Sequence, residues 1–203
     1  MKRIRAYHFL KDDMRGGFGN EPAWAVGEER TCKGVLKMCE NGYHASPNWY
    51  DALSYAHGNI ACLVELSGEI KKGANKYVAQ TRKLIDAQNA EKLLRTWGCD
   101  CAERALKKAK ITDERSWNAI KVARLYSEGK ATKEELAAAR AAARAAAWDA
   151  AWAAARDATR DAARTAAWDA ARTATRTAAW AAEIRWQKRH LNKLMKDLFS
   201  TTH

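Results

Sequence analysis

The sequence predicts an α+β protein: a small mixed N-terminal domain, then a mainly helical region with a long Ala-rich helix or helical hairpin. Three observations carry this reading. All 11 glycines lie at or before Gly129 and both prolines, Pro22 and Pro47, lie in the first quarter, so the residues that break helices are confined to one end. Short apolar runs of strand length occupy that same end. From Ala137 to Trp180 the chain then repeats [Ala/Asp/Thr]-Ala-[Ala/Thr]-[Arg/Trp] eleven times without a slip. Alanine has the highest helix propensity, and nothing after Gly129 interrupts it.

Taken in order, Ile4 to Leu10 reads as a strand and Arg15-Gly-Gly-Phe-Gly-Asn20 as a turn or loop. Ser46-Pro47 offers a capping hydroxyl before a proline at a first helical position, and Trp49, Leu53 and Tyr55 to Ala56 continue a short helix. Ile60 to Leu66 is apolar except for Glu65 and fits a buried strand, where a carboxylate needs a partner or a role. Lys76 to Ile85 reads as a further strand.

From about Asn89 the apolar spacing becomes three and four, through Leu93, Leu94, Trp97, Cys101, Ala105 and Leu106, which is one face of an amphipathic helix. A second helix spans about Thr112 to Ser127, with Trp117, Ile120 and Leu125 among its core residues and Gly129 as its stop. Thr132-Lys-Glu-Glu135 has the spacing of a capping box and opens the repeat helix. The expected organisation is a small α+β domain over 1–86, a two-helix segment over 87–130, and the repeat helix with a basic amphipathic tail over 131–203.

Run as one helix from Thr132 to Ser200, the repeat would extend roughly 100 Å at ~1.5 Å per residue. A period of four advances the bulky ridge by ~40° per repeat, so Arg and Trp spiral around the axis without making a coiled-coil seam. The tail, with Arg185, Lys188, Arg189, Lys193 and Lys196 among Trp186, Leu191, Leu194, Met195, Leu198 and Phe199, carries an apolar stripe suited to a core or a partner helix.

The 36 Lys and Arg against 24 Asp and Glu give a net charge of +12, and the pI is about 9.6. Half of the excess is spread over residues 1–136; the repeat and the tail hold the rest. Mean hydropathy is −0.57. No run reaches the ~18 apolar residues a membrane span needs, so the expected location is the cytoplasm. Five unevenly spaced cysteines argue for reduced thiols, and neither they nor the histidines make a metal-ligand pattern, so no metal and no cofactor is expected.

Arg rather than Lys throughout the repeat points to guanidinium and indole planes, which bind phosphates and stack on bases. The candidate ligand-binding residues are Trp148, Trp152, Arg156, Arg160, Arg164, Trp168, Arg172 and Arg176. Asp157, Asp161 and Asp169 each stand three before an Arg, the spacing of ordinary helix ion pairs on a solvated face. The expected partners are an anionic ligand or nucleic acid, a protein partner, or a second copy docking in the alanine grooves.

Cys39-Glu-Asn-Gly-Tyr-His-Ala-Ser46, with Asp51-Ala-Leu-Ser-Tyr-Ala-His-Gly58 and Cys62-Leu-Val-Glu-Leu66, resembles an uncharacterised family of phage and bacterial proteins with an Ala/Arg/Trp/Asp repeat behind such a module. Cys99-Asp-Cys-Ala-Glu-Arg-Ala-Leu106, with Trp117-Asn-Ala-Ile-Lys-Val-Ala-Arg124, is similar to helical immunity domains found beside polymorphic toxins. Tyr7-His8 on the first strand and Gly42-Tyr43-His44-Ala45 before a short helix resemble the His and Tyr of ADP-ribosyltransferase folds. That last resemblance implies a dinucleotide clamp with His8, Tyr43 and Glu65 as catalytic candidates.

The expected function is a non-catalytic binding protein of phage or bacterial conflict systems that captures an anionic partner or antagonises a host or toxin protein. An enzyme acting on a nicotinamide dinucleotide and a self-assembling helical protein are the alternatives.

Overall fold

A computed structural model describes residues 3–18, 21–160 and 166–200, with side chains except over 151–178. The chain divides into two compact units, residues 1–93 with 188–203, and residues 94–187.

The first unit is built on an antiparallel sheet of β1 (Ile4–Leu10), β2 (Glu29–Thr31), β3 (Tyr43–Ala45), β4 (Ile60–Lys72) and β5 (Tyr77–Asn89) in the order β1-β4-β5-β2, with β3 also on β5. Tyr7 and Ser46 exchange backbone hydrogen bonds of 2.9 and 2.8 Å, which return the end of β3 to β1. Hydrogen bonding therefore runs in a closed circuit, β1-β4-β5-β3-β1.

Strand alternation sorts β1 into two faces. Ala6 and Leu10 join Trp24, Ala45, Cys62, Val64, Leu66, Ala79 and Leu84 in one buried cluster, and His8 lies on their side, opposite Cys62 in register. Tyr7 and Phe9 face the other way, onto Trp49 of α1 (Trp49–Leu53), with ring centroids 4.5 and 5.8 Å away.

The C-terminal end of α5 (Ala166–Ser200) contributes to this unit. Leu191 and Met195 are fully buried, the Asn192 side chain accepts from the Trp49 N–H, and Lys188 pairs with Asp51 at 2.9 Å. The apolar stripe of the tail is thus core.

Two sequence expectations change here, and two short strands are added. Ser46 does not cap α1; its backbone is spent on Tyr7, and Asn48 caps instead, accepting from the Asp51 N–H at 2.9 Å. β4 and β5 run on beyond the apolar stretches as a long hairpin, with an irregular register around Gly68, whose φ of +76° suits glycine. β2 and β3, three residues each, carry no periodic signal of their own.

In the second unit lie most of α2 (Glu91–Ala109), all of α3 (Glu114–Ser127) and α4 (Lys133–Arg160), and the first part of α5. Gly129, at φ +73°, ends α3, and Thr132 and Glu135 form the reciprocal capping box, with bonds of 3.1 and 2.7 Å. Arg104 and Lys108 of α2 pair with Glu183 of α5, while Arg115 of α3 pairs with Asp149 of α4. On one straight helix Asp149 and Glu183 would stand ~50 Å apart. Both instead meet residues flanking the short α2–α3 connection; residues 161–165, where one long helix would run on or a hairpin would turn, lie outside the described residues.

Candidate anion-binding site in the first unit

A guanidinium buried on the sheet is the most unusual group in the first unit. Arg82 of β5 stands in register between Leu66 of β4 and Arg30 of β2, so its side chain leaves the face that carries the core cluster. It is 3 % exposed. One Nη donates to the His44 carbonyl at 3.1 Å, and Cζ lies 4.3 Å from the Trp24 ring centroid and 5.1 Å from that of Tyr43. Its nearest carboxylate, Glu21, is 3.9 Å away.

Arg30 shares the same indole, 4.1 Å from the ring centroid, but it is fully engaged. Glu28 accepts from its Nε and Nη2 at 2.6 and 2.9 Å, and the carbonyls of Pro22 and Ala23 take the remaining edge. The contrast matters because Glu21 lies near both cations, 3.6 Å from Arg30, and so neutralises Arg82 only in part. Gly16 makes room for this carboxylate: a Cβ there would stand 2.1 Å from Glu21 Oε1.

Three protonated or neutral groups face the same region. Burial holds the His8 imidazole well below the usual histidine range, and Arg82, His44 and His57 push it further down. By accessible surface the residue is half-buried. Burial raises the Tyr43 phenol above its ordinary value, against the pull of Arg82 and Arg30. It also pushes the Cys62 thiol up to about 12 and draws Arg82 down to about 10. At neutral pH Arg82 is therefore charged, His8 uncharged, and Tyr43 and Cys62 protonated. The Trp24 Nε1–H is buried and has no acceptor among the described residues.

The region is consequently rich in donors and poor in acceptors. A group with lone pairs and negative charge, a phosphate or carboxylate, is what such a set binds. Among the described residues no cluster of His, Cys, Asp and Glu suits a metal ion.

Of the residues singled out from sequence, His8 and Tyr43 both lie within electrostatic reach of Arg82. Glu65 does not join them. It stands opposite Arg5 in register, on the reverse face from His8, and pairs with Arg3 at 3.0 Å. In the repeat, Trp148 is 66 % exposed. The side chains of Trp152, Arg156, Arg160, Arg164, Trp168, Arg172 and Arg176 lie outside the described residues. Sequence reasoning missed Arg82, Trp24, Arg30 and Glu21. Arg82 sits inside a predicted strand between Thr81 and Leu84, and there a charge raises the same question that Glu65 raised.

Residues 4–96 match the family model described as Domain of unknown function (DUF7666). The matched span takes in all five strands, α1 and the start of α2. No curated protein and no solved structure matches the chain. No helix among the described residues is long and apolar enough to cross a membrane.

Proposed function

We propose that this is a non-catalytic binding protein that captures an anionic partner, a nucleotide or the phosphates of a nucleic acid, in a phage or bacterial conflict setting. The observation that carries the reading is the Arg82 guanidinium, buried against Trp24, whose one near carboxylate among the described residues is 3.9 Å away and shared with Arg30. Removing a cation from water is costly unless a counter-charge meets it closely. A bound phosphate supplies that charge, with Trp24 Nε1–H and the Tyr43 hydroxyl as further donors, and the net charge of +12 adds long-range attraction.

Titration calorimetry of the full chain with adenosine mononucleotides and short single-stranded DNA tests this at about 50 and 200 mM salt. Binding that weakens with salt, and at least about tenfold on Arg82→Lys, is expected, because lysine keeps the charge but loses the planar fork. Tyr43→Phe, which removes one hydroxyl and little volume, should weaken it more modestly. Absence of binding at both salt concentrations rejects the reading.

An enzyme acting on a nicotinamide dinucleotide is the second reading, favoured by the placement of His8 and Tyr43 around Arg82. Glu21 rather than Glu65 is then the carboxylate in reach of Tyr43. Unchanged dinucleotide after prolonged incubation with the full chain rejects it; turnover lost on Glu21→Gln supports it.

A further inference from the structure

The second unit carries a solvent-open pocket of about 460 Å³ lined by α2, α3 and α4. Its volume comes from missing side chains: Gly98, Ala102, Ala105, Ala119, Ala123 and Ala143 supply wall from all three helices. α3 and α4 pack closely, whereas α2 approaches neither so nearly. Arg124 of α3 reaches across to Asp100 and Glu103 of α2 at 2.7 and 2.8 Å, so the spacing is held by an ionic strut rather than closed by apolar contact. Gly98, Ala102 and Ala105 are exposed, so this methyl wall faces water, and an apolar occupant would remove it from water.

The charged residues that line the pocket are all cationic, and Asp100 and Glu103 beside it are paired with Arg124. Arg95 and Arg140 are part of the wall, and no carboxylate is among its residues. Arg95 is held over the Tyr126 ring at 5.1 Å. Arg140 is exposed and makes no ion pair among the described residues. Size and lining fall within the ordinary range for small-molecule sites, mostly apolar with a few convergent polar groups.

We propose that this pocket binds a small apolar molecule carrying one anionic group, with its tail against the alanine wall and its carboxylate or equivalent on Arg140. The site is independent of the anion site in the first unit, so either can fail without the other.

The test is calorimetry of the full chain with decanoate and with decan-1-ol below their aggregation limits. Decanoate should bind about tenfold more tightly than the alcohol. Arg140→Gln should bring decanoate down to the level of the alcohol, and Ala119→Leu, which fills the pocket, should remove both. Cys99, 7 % exposed and part of the wall, gives a readout that needs no variant. Decanoate should slow its modification by a thiol reagent while leaving exposed Cys39 unaffected. Failure of decanoate to bind, equal affinity for acid and alcohol, binding that survives in folded Ala119→Leu protein, or unprotected Cys99 each overturns the proposal.

Discussion

Phe199 stacks on Trp49, ring centroids 5.2 Å apart and planes inclined by 22°. The two residues are separated by 150 positions, and the contact closes the face of the sheet that Tyr7 and Phe9 present. The end of the chain is therefore a structural part of the unit that the beginning builds, and the helical unit is an insertion within it.

Removal of residues 188–203 should abolish cooperative unfolding of the first unit, since it uncovers Trp49 and deletes Leu191 and Met195. A milder form is Met195→Ala. The side chain is fully buried, so the cost should be about 3 kcal/mol. Lys188→Ala should cost less than about 1 kcal/mol, because its pair with Asp51 is partly solvated. Urea unfolding followed by tryptophan emission measures all three.

Stability should fall as the solution is acidified from pH 7.5 to 5.5, before any carboxylate effect. His8 and His44 both have lowered folded values against an ordinary 6.5, and burial is the first cause in each. Below 6.5 the unfolded chain binds protons that the folded chain refuses, so the stabilising term is present above that pH and is lost as pH drops. Each withheld proton contributes a slope of up to about 1.4 kcal/mol per pH unit. Glu28, Glu103 and Glu183, held low first by hydrogen bonds from Arg30, Lys107 and Lys108, add their loss only below their ordinary 4.5. A His8→Gln variant should flatten the upper part of the Tm against pH curve; an unchanged curve would contradict the assignment.

Gly42→Ala should destabilise the first unit by about 2 kcal/mol. Gly42 has φ +122°, and a Cβ would meet Val78 Cγ2 at 2.5 Å and Leu36 Cδ2 at 2.8 Å. Both neighbours are buried, so neither has room to give way. Gly27→Ala is the control: φ is +89° there, but nothing lies within 4 Å, so backbone strain acts alone and the loss should be smaller.

Thr132→Ala should cost about 1 kcal/mol by leaving the Glu135 N–H without its acceptor at the start of α4. Thr132→Ser should restore most of it. Thermal unfolding read at 222 nm separates the two variants.

Local physics explains what could be read in advance. The apolar run at Ile4 to Leu10 became β1 over those residues, the capping box opened α4, and Gly129 closed α3, because each signal and its partner groups lie within a few positions. β2 and β3 were not legible, since their hydrogen bonds go to β5, tens of residues away. For the same reason the candidate site was half visible. His8 and Tyr43 stood in recognisable motifs, whereas Arg82, Trp24, Arg30 and Glu21 converge only when β2 and β5 pair and the chain before Trp24 folds over them.

Sequence alone determined the α+β class, the confinement of breakers to the first part of the chain, the helices α4 and α5 on either side of residues 161–165 and the amphipathic tail, because propensity, capping and periodicity are properties of neighbouring residues. Tertiary structure decided which face of the sheet the tail covers, that Glu65 and His8 lie on opposite faces, and that Arg82 is buried against Trp24. Strand register sets these outcomes, and register is fixed by long-range pairing and packing rather than by any residue's own preference.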